Sequence, residues 1–279
     1  MKKHTTDFTG KVAVVTGGAG VLCSLFAKVY AAYGAKVAVV DLAEEKARQI
    51  AAEIVAEGGD AIAVAANVLQ KQSLEAARDA VVAHYGRIDI LLNGAGGNHP
   101  RGTTEDEQYD RAAKDVRDFF ALDKDGLQFV FDLNIMGTVL TSQVFASELL
   151  KQEGSCVINM SSMSAFCPLT KTPAYSLAKA GVSNFTQWLA VYFAKAGIRV
   201  NALAPGFFST QQNAALLWNP DGTPTARSGK ILAGTPMDRF GVPEDLVGGL
   251  LYLSDSEMSA FVTGIVLPID GGYAAYSGV

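Results

Sequence analysis

Hydrophobic positions in the first 95 residues fall into short, unbroken, β-branched runs separated by longer stretches with helical spacing. The runs Val12–Val15, Val37–Val40, Ala61–Ala65 and Ile88–Leu92 are each bounded by Gly, Asp or Asn. They are apolar at nearly every position rather than every second one, as strands buried on both faces are. Between them, segments 21–33, 43–57 and 71–85 carry helical patterns. Such alternation predicts βαβ units, right-handed crossovers and a parallel sheet. Further strands are expected at Cys156–Met160, Arg199–Leu203 and Ile265–Pro268, with helices near 126–152, 173–196 and 243–254. No Pro/Ser-rich linker divides the chain, so the simplest account is one α/β domain over 1–279: seven parallel strands, doubly wound.

Two segments break this rhythm. Residues 97–125 and 206–235 each separate a strand from its following helix by far more than usual. Loops beyond about 12–15 residues in a compact domain tend to be lids or binding loops. Both follow strands and should lie at the carboxyl edge of the sheet, where such folds bind ligands.

Composition narrows the function. A hydrophobic content of 49% with 18% charge describes a globular chain with ample core. No window approaches ~18 uninterrupted apolar residues, so no membrane span is expected. The start, Met1 to Asp7, has no apolar run behind its lysines, which argues against a secretory signal. Cys23, Cys156 and Cys167 have no metal-site spacing and make no disulfide framework, which fits a reducing cytoplasm. A formal charge of −5 gives no electrostatic basis for binding nucleic acid or anionic lipid. A small-molecule ligand is therefore expected.

The chemistry starts at Val12–Cys23, which reads as strand, glycine turn and helix start. Gly17, Gly18 and Gly20 let backbone approach a pyrophosphate, and the helix N-terminus offers free N–H groups. Asp41 closes the next strand; an acid there accepts from ribose hydroxyls and repels a 2′-phosphate, favouring NAD over NADP. Tyr175 and Lys179 stand at i and i+4 on a predicted helix, where an ammonium beside a phenol favours the phenolate. On its own such a pair is usually a solvated helix face; the glycine turn with Asp41 makes it an acid–base candidate. His99 has no ligand-spaced companion, so no metal site is expected.

With these motifs in order, the chain resembles the short-chain dehydrogenase/reductase family over essentially all its length, which implies a Rossmann-type fold. The family's Thr-Gly-x-x-x-Gly-x-Gly turn aligns with Thr16 and Gly17, but Val21 and Cys23 stand where two glycines belong, with Leu22 between them. Asn67-Val68 falls where an Asp-Val contacts adenine. Asn93-Gly94-Ala95-Gly96 resembles the Asn-Asn-Ala-Gly segment lining the cofactor channel, with Gly94 replacing the second Asn. Pro205-Gly206, continuing through Phe208 to Thr210, matches the turn that holds the nicotinamide carboxamide. Asn134, Ser162, Tyr175 and Lys179 align with the catalytic tetrad. The resemblance implies hydride transfer with NAD: Tyr175 exchanges the proton, Lys179 lowers its pKa and bonds the nicotinamide ribose, Ser162 polarises the carbonyl, and Asn134 orders a relay water. It also implies a homo-oligomer, most often a tetramer built on the helices near 126–152 and 173–196.

The polar loop residues Asn98, His99, Arg101, Lys171, Gln212 and Arg227 suit a ligand with many hydroxyls and one carboxylate. Gly94 to Pro100, Asp132-Leu133-Asn134, Ser164 to Lys171 and the ending Ala275 to Val279 are similar to one branch of that family, the D-mannonate oxidoreductases or fructuronate reductases. That likeness implies reversible reduction of D-fructuronate to D-mannonate. Two alternatives stay open: a dehydrogenase of another polyol or aldonate such as gluconate, and a non-catalytic NAD-sensing protein.

Overall fold

The computed structural model describes residues 4–211 and 213–278. Its elements run β1 (Val12–Thr16), α1 (Val21–Ala32), β2 (Lys36–Asp41), α2 (Glu44–Ala56), β3 (Asp60–Ala65), α3 (Lys71–Tyr85) and β4 (Ile90–Asn93). Then follow α4 (Lys124–Phe131), α5 (Gly137–Leu149), β5 (Cys156–Met160), α6 (Pro173–Phe193) and β6 (Arg199–Pro205). Two short helices, α7 (Ala214–Leu217) and α8 (Ala226–Ala233), precede α9 (Val247–Ser254) and β7 (Val266–Ile269). The seven strands form one sheet in the order β3-β2-β1-β4-β5-β6-β7, every pair parallel.

Strand parity divides the core in two. Ala13, Val15, Val37, Val39, Leu92 and Ile158 pack under α1, α2 and α9, against Phe26, Tyr30, Ile54 and Leu250. Val12, Val14, Ala38, Val40, Leu91 and Val157 face α3, α5 and α6, against Leu74, Val81, Phe145 and Leu189. The five inner strands are covered on both faces, which is why they read as continuous apolar runs, whereas the edge strands β3 and β7 are only half-buried. The chain order reverses between β1 and β4, and the crevice beyond their carboxyl ends is where such a sheet admits a ligand.

The expected helix over 126–152 is three pieces. Between α4 and α5, Asp132–Met136 is π-helical, and the Gly137 N–H reaches back five residues to the Asp132 carbonyl. The inserted 97–125 loop contains two 3₁₀ turns, Pro100–Gly102 and Phe119–Ala121, while 206–235 contains α7 and α8. By length and composition, Lys124–Leu149 is apolar enough to cross a membrane, and half of its most apolar window is buried inside the fold. Leu177, Trp188, Val191 and Tyr192 leave an exposed apolar stripe along α6, with Trp188 stacked on Tyr192.

Phe145 is among the largest wholly buried side chains under the sheet. Replacing it with Ala is expected to cost about 3–5 kcal/mol in denaturant-measured stability, and a loss below about 1 kcal/mol would contradict this core assignment.

Candidate active site

The ends of β1 and β4 are fastened together before any ligand is considered. In the parallel register Thr16 stands beside Asn93. The Thr16 hydroxyl donates to the Leu92 carbonyl at 3.2 Å and accepts from the Gly94 N–H at 3.2 Å. Gly17 then turns with φ +63°, and a Cβ on it would stand 2.8 Å from the Ala95 nitrogen. Only glycine satisfies both the left-handed angle and the contact.

The turn opens α1 with Gly20 as N-cap, and neither a side-chain cap nor an acid occupies the first turn. Its N–H groups and the positive end of the helix dipole remain available to an anion. Asp41 fixes the turn from β2: one carboxylate oxygen accepts from the Ala19 N–H at 3.0 Å, the other from the Ala43 N–H at 2.8 Å. A carboxylate has further lone pairs to offer a hydroxyl.

From this turn a cleft of about 610 Å³ runs along the carboxyl edge of the sheet. Its lining includes Gly17, Gly20, Val21, Leu22, Asp41, Asn67, Val68, Ala95 and Gly96, and continues through Ser162, Tyr175 and Lys179 to Pro205, Gly206, Phe208, Thr210 and Arg227. Most of the sequence candidates therefore share one surface. An NAD molecule fits what these residues present: an uncapped helix terminus behind a turn without side chains, and an acid at the end of β2.

Ser162 lies two residues beyond β5 and caps a 3₁₀ turn. Its oxygen accepts the Ser164 N–H at 3.1 Å, which leaves the hydroxyl proton to be offered into the cleft. Lys179 is 5% exposed and donates to the Met160 carbonyl at 2.8 Å. Burial lowers its pKa to about 8. Its Nζ lies over the Tyr175 ring, 5.5 Å from the centroid. Burial also raises the Tyr175 phenol above its ordinary value, with the Ser162 hydroxyl acting in the opposite direction. The expected depression of the tyrosine by the lysine is thus not found in the protein alone, where the amine faces a carbonyl and the ring face.

Several candidates lie outside the lining. Asn134 is wholly buried in the π-helical segment, where its amide donates to the Gly97 and Val130 carbonyls at 2.7 and 2.8 Å and its oxygen accepts from the Gly97 N–H at 3.2 Å. A Cβ on Gly96 would stand 2.6 Å from Asn134 Oδ1 and 3.2 Å from Lys179 Nζ, so both groups border one small space. Thr16 and Gly18 support the turn from beneath, the Gly18 N–H donating to the Val40 carbonyl. Asn93 turns to the α5/α6 face, because it shares the parity of Leu91, and donates to Ser142 and Asn159 at 2.9 and 2.8 Å.

The expected substrate loop is mostly self-occupied. His99 accepts the Arg101 N–H at 3.2 Å and packs on Phe129. Asn98 donates to Thr103, Arg101 pairs with Asp123 at 3.2 Å, and Lys171 takes a left-handed turn at φ +68° outside the lining. Gln212 lies outside the described residues. Sequence reasoning missed Leu42, Leu133, Met160, Leu216 and Leu217 as lining, since apolar residues carry no motif. Cys23, at a glycine position of the family's turn, borders the cleft as well. Among the described residues no group of three His, Cys, Asp or Glu side chains could hold a metal.

Comparison with known proteins adds three findings. The short chain dehydrogenase family profile matches residues 11–219. The chain is 55% identical to the uncharacterized oxidoreductase UxuB of Bacillus subtilis (strain 168), covering 98% of both chains. A crystal structure from Haemophilus influenza, named there as a proposed D-mannonate oxidoreductase with bound NAD, superposes with a TM-score of 0.95 at 52% identity, covering 98% of each chain.

The Lys179 titration makes a signed prediction. With its folded pKa near 8, the buried ammonium costs stability on the order of 3 kcal/mol below that pH, and the cost is relieved as pH rises toward the unfolded value of 10.5. Lys179→Met should therefore be more stable than the wild type at pH 7, and the gap should narrow between pH 8 and 10. A gap that does not change with pH in denaturant titrations would contradict this.

Proposed function

The chain belongs to the short-chain dehydrogenase/reductase family, and on that premise we propose that it is an NAD-dependent oxidoreductase interconverting a keto sugar acid and its hydroxy acid, D-fructuronate and D-mannonate. The observation that carries the reading is the convergence of Ser162, Tyr175 and Lys179 on one cleft with the uncapped α1 terminus and Asp41. The NAD-bound Haemophilus relative supports both the cofactor and the substrate class.

In this reading the Gly17–Leu22 turn holds the pyrophosphate, Asp41 the adenosine ribose, Asn67 and Val68 the adenine, and Pro205 to Thr210 the carboxamide. NAD, when bound, accepts or supplies the hydride. Tyr175 removes the substrate hydroxyl proton in oxidation and returns it to the carbonyl oxygen in reduction. Ser162 donates a hydrogen bond to that oxygen, where negative charge develops during reduction. Lys179 binds the nicotinamide ribose and, once an anionic phenolate begins to form, stabilises it. Gly96, lacking a side chain, and Asn134, held by the Gly97 backbone, keep open the small space beside Lys179 in which a water passes protons onward.

For the substrate carboxylate, Arg227 is the best of the three candidate cations, since it lines the cleft while Arg101 is paired and Lys171 lies outside. Arg227 supplies a bidentate donor that a neutral polyol would not need. The exposed Leu177, Trp188, Val191 and Tyr192 stripe serves as the face through which the protein forms a homo-oligomer, a tetramer in the family's usual form.

Turnover with a panel of sugar acids and polyols tests the reading. D-mannonate with NAD should be oxidised, Tyr175→Phe should lose about 10²–10⁴ in kcat while still binding NADH, and Arg227→Ala should raise the mannonate KM about tenfold or more. Activity on neutral polyols without any on mannonate would replace the substrate, and a Tyr175→Phe variant within about threefold of wild type would remove the mechanism. Light scattering tests the assembly: Trp188→Glu should reduce the oligomer's mass, and a monomeric wild type would contradict it.

A further inference from the structure

Two departures from the family's pattern meet at one point in the fold. Cys23 stands on the first turn of α1 where the family has glycine, and Gly94 follows β4 where the family has asparagine. Cys23 Sγ lies 2.2 Å from the place a Cβ on residue 94 would take, with the Thr16 carbonyl at 2.7 Å and Leu92 Cδ2 at 3.1 Å. No side-chain carbon fits there while the thiol is present. The backbones on either side have little freedom, because β1 and β4 pair through Thr16 and Asn93 and the Thr16 hydroxyl ties both ends. Both residues border the cleft, and Cys23 is 5% exposed within the core beneath α1.

We infer that Cys23 and Gly94 form one steric unit: the thiol fills from α1 the volume that a side chain on residue 94 would fill from β4. It thereby sets the height at which the first turn of α1 meets the cofactor's pyrophosphate. Cys23 is a positioning residue, acting through the backbone N–H groups of its own turn. Burial holds its thiol pKa up near 12, so it acts as a neutral space-filling group. Removing the thiol alone leaves a gap under the glycine turn, and a side chain on residue 94 alone meets the thiol in addition to the Thr16 carbonyl. The inference rests on the NAD reading for its functional consequence and on the geometry for the pairing itself.

The test is a sign reversal. In the wild-type background C23G should weaken NADH binding, measured by fluorescence titration, by about threefold or more. In a G94N background the same change should strengthen it by about tenfold, because the collision with the thiol is relieved; the Thr16 carbonyl must still give way, so full recovery is not required. The NADH KM should follow binding while kcat stays within about threefold, which a general loss of structure would not produce. C23G acting in the same direction in both backgrounds, or G94N binding NADH as well as wild type, would overturn the pairing. Should G94N fail to fold, G94A with and without C23G asks the same question with one carbon. A wild type that does not bind NADH would overturn the cofactor reading instead, and the thermal midpoints of the four proteins would then decide the pairing.

Discussion

The Lys179 amine donates to the last carbonyl of β5 at 2.8 Å from a position closed to solvent. That bond ties the start of α6 to the end of a central strand and fixes where the preceding turn of the helix can point. Tyr175, one turn earlier, consequently faces the cleft beside Ser162. The same amine dictates what can stand opposite: at Gly96 even a methyl group would press on both Lys179 and Asn134. An ammonium held in so dry a place carries a large self-energy, which lowers its proton affinity. The site thus spends stability on keeping a cation beside a phenol, as functional sites often do.

The opposite end of the cleft follows a different logic. There the protein removes side chains rather than placing them, so that backbone N–H groups and a helix dipole meet the ligand directly. Thr16 fastens β1 to β4, Gly17 turns against Ala95, and Asp41 braces the turn from β2. In the proposed reading, the rigid end grips the dinucleotide and the polar end moves the proton, and because both lie on one sheet edge hydride and proton transfer share a geometry.

Much of this was legible in the amino-acid order: burial on both faces makes the five inner strands apolar almost throughout, and the two half-covered edge strands β3 and β7 still carry short apolar runs. The turn and Asp41 stand out by their place at strand ends, Tyr175 and Lys179 by helical spacing, and Ser162 by the family resemblance; the fold brings all of them to one cleft. The motif around Asn93 does not reveal parity, and parity sends its side chain to the face with Leu91 rather than into the cleft. The π-helical segment left no hydrophobic signature: one extra residue in a turn barely disturbs the periodicity over 126–152, yet it buries Asn134 against Gly97. His99, Arg101 and Lys171 were polar loop residues with no feature to separate ligand contacts from loop-internal bonds. Cys23 and Gly94 read as two separate oddities, since only the folded sheet brings them to one point.

The central claim is that Tyr175 and Lys179 act on a nicotinamide bound in this cleft. A crystal structure with NAD tests it most directly. The account predicts the Lys179 amine within hydrogen-bond distance of the nicotinamide ribose hydroxyls, and the Tyr175 oxygen directed at the same ring face as the Ser162 hydroxyl. A dinucleotide bound elsewhere, or a nicotinamide turned away from both side chains, would contradict it.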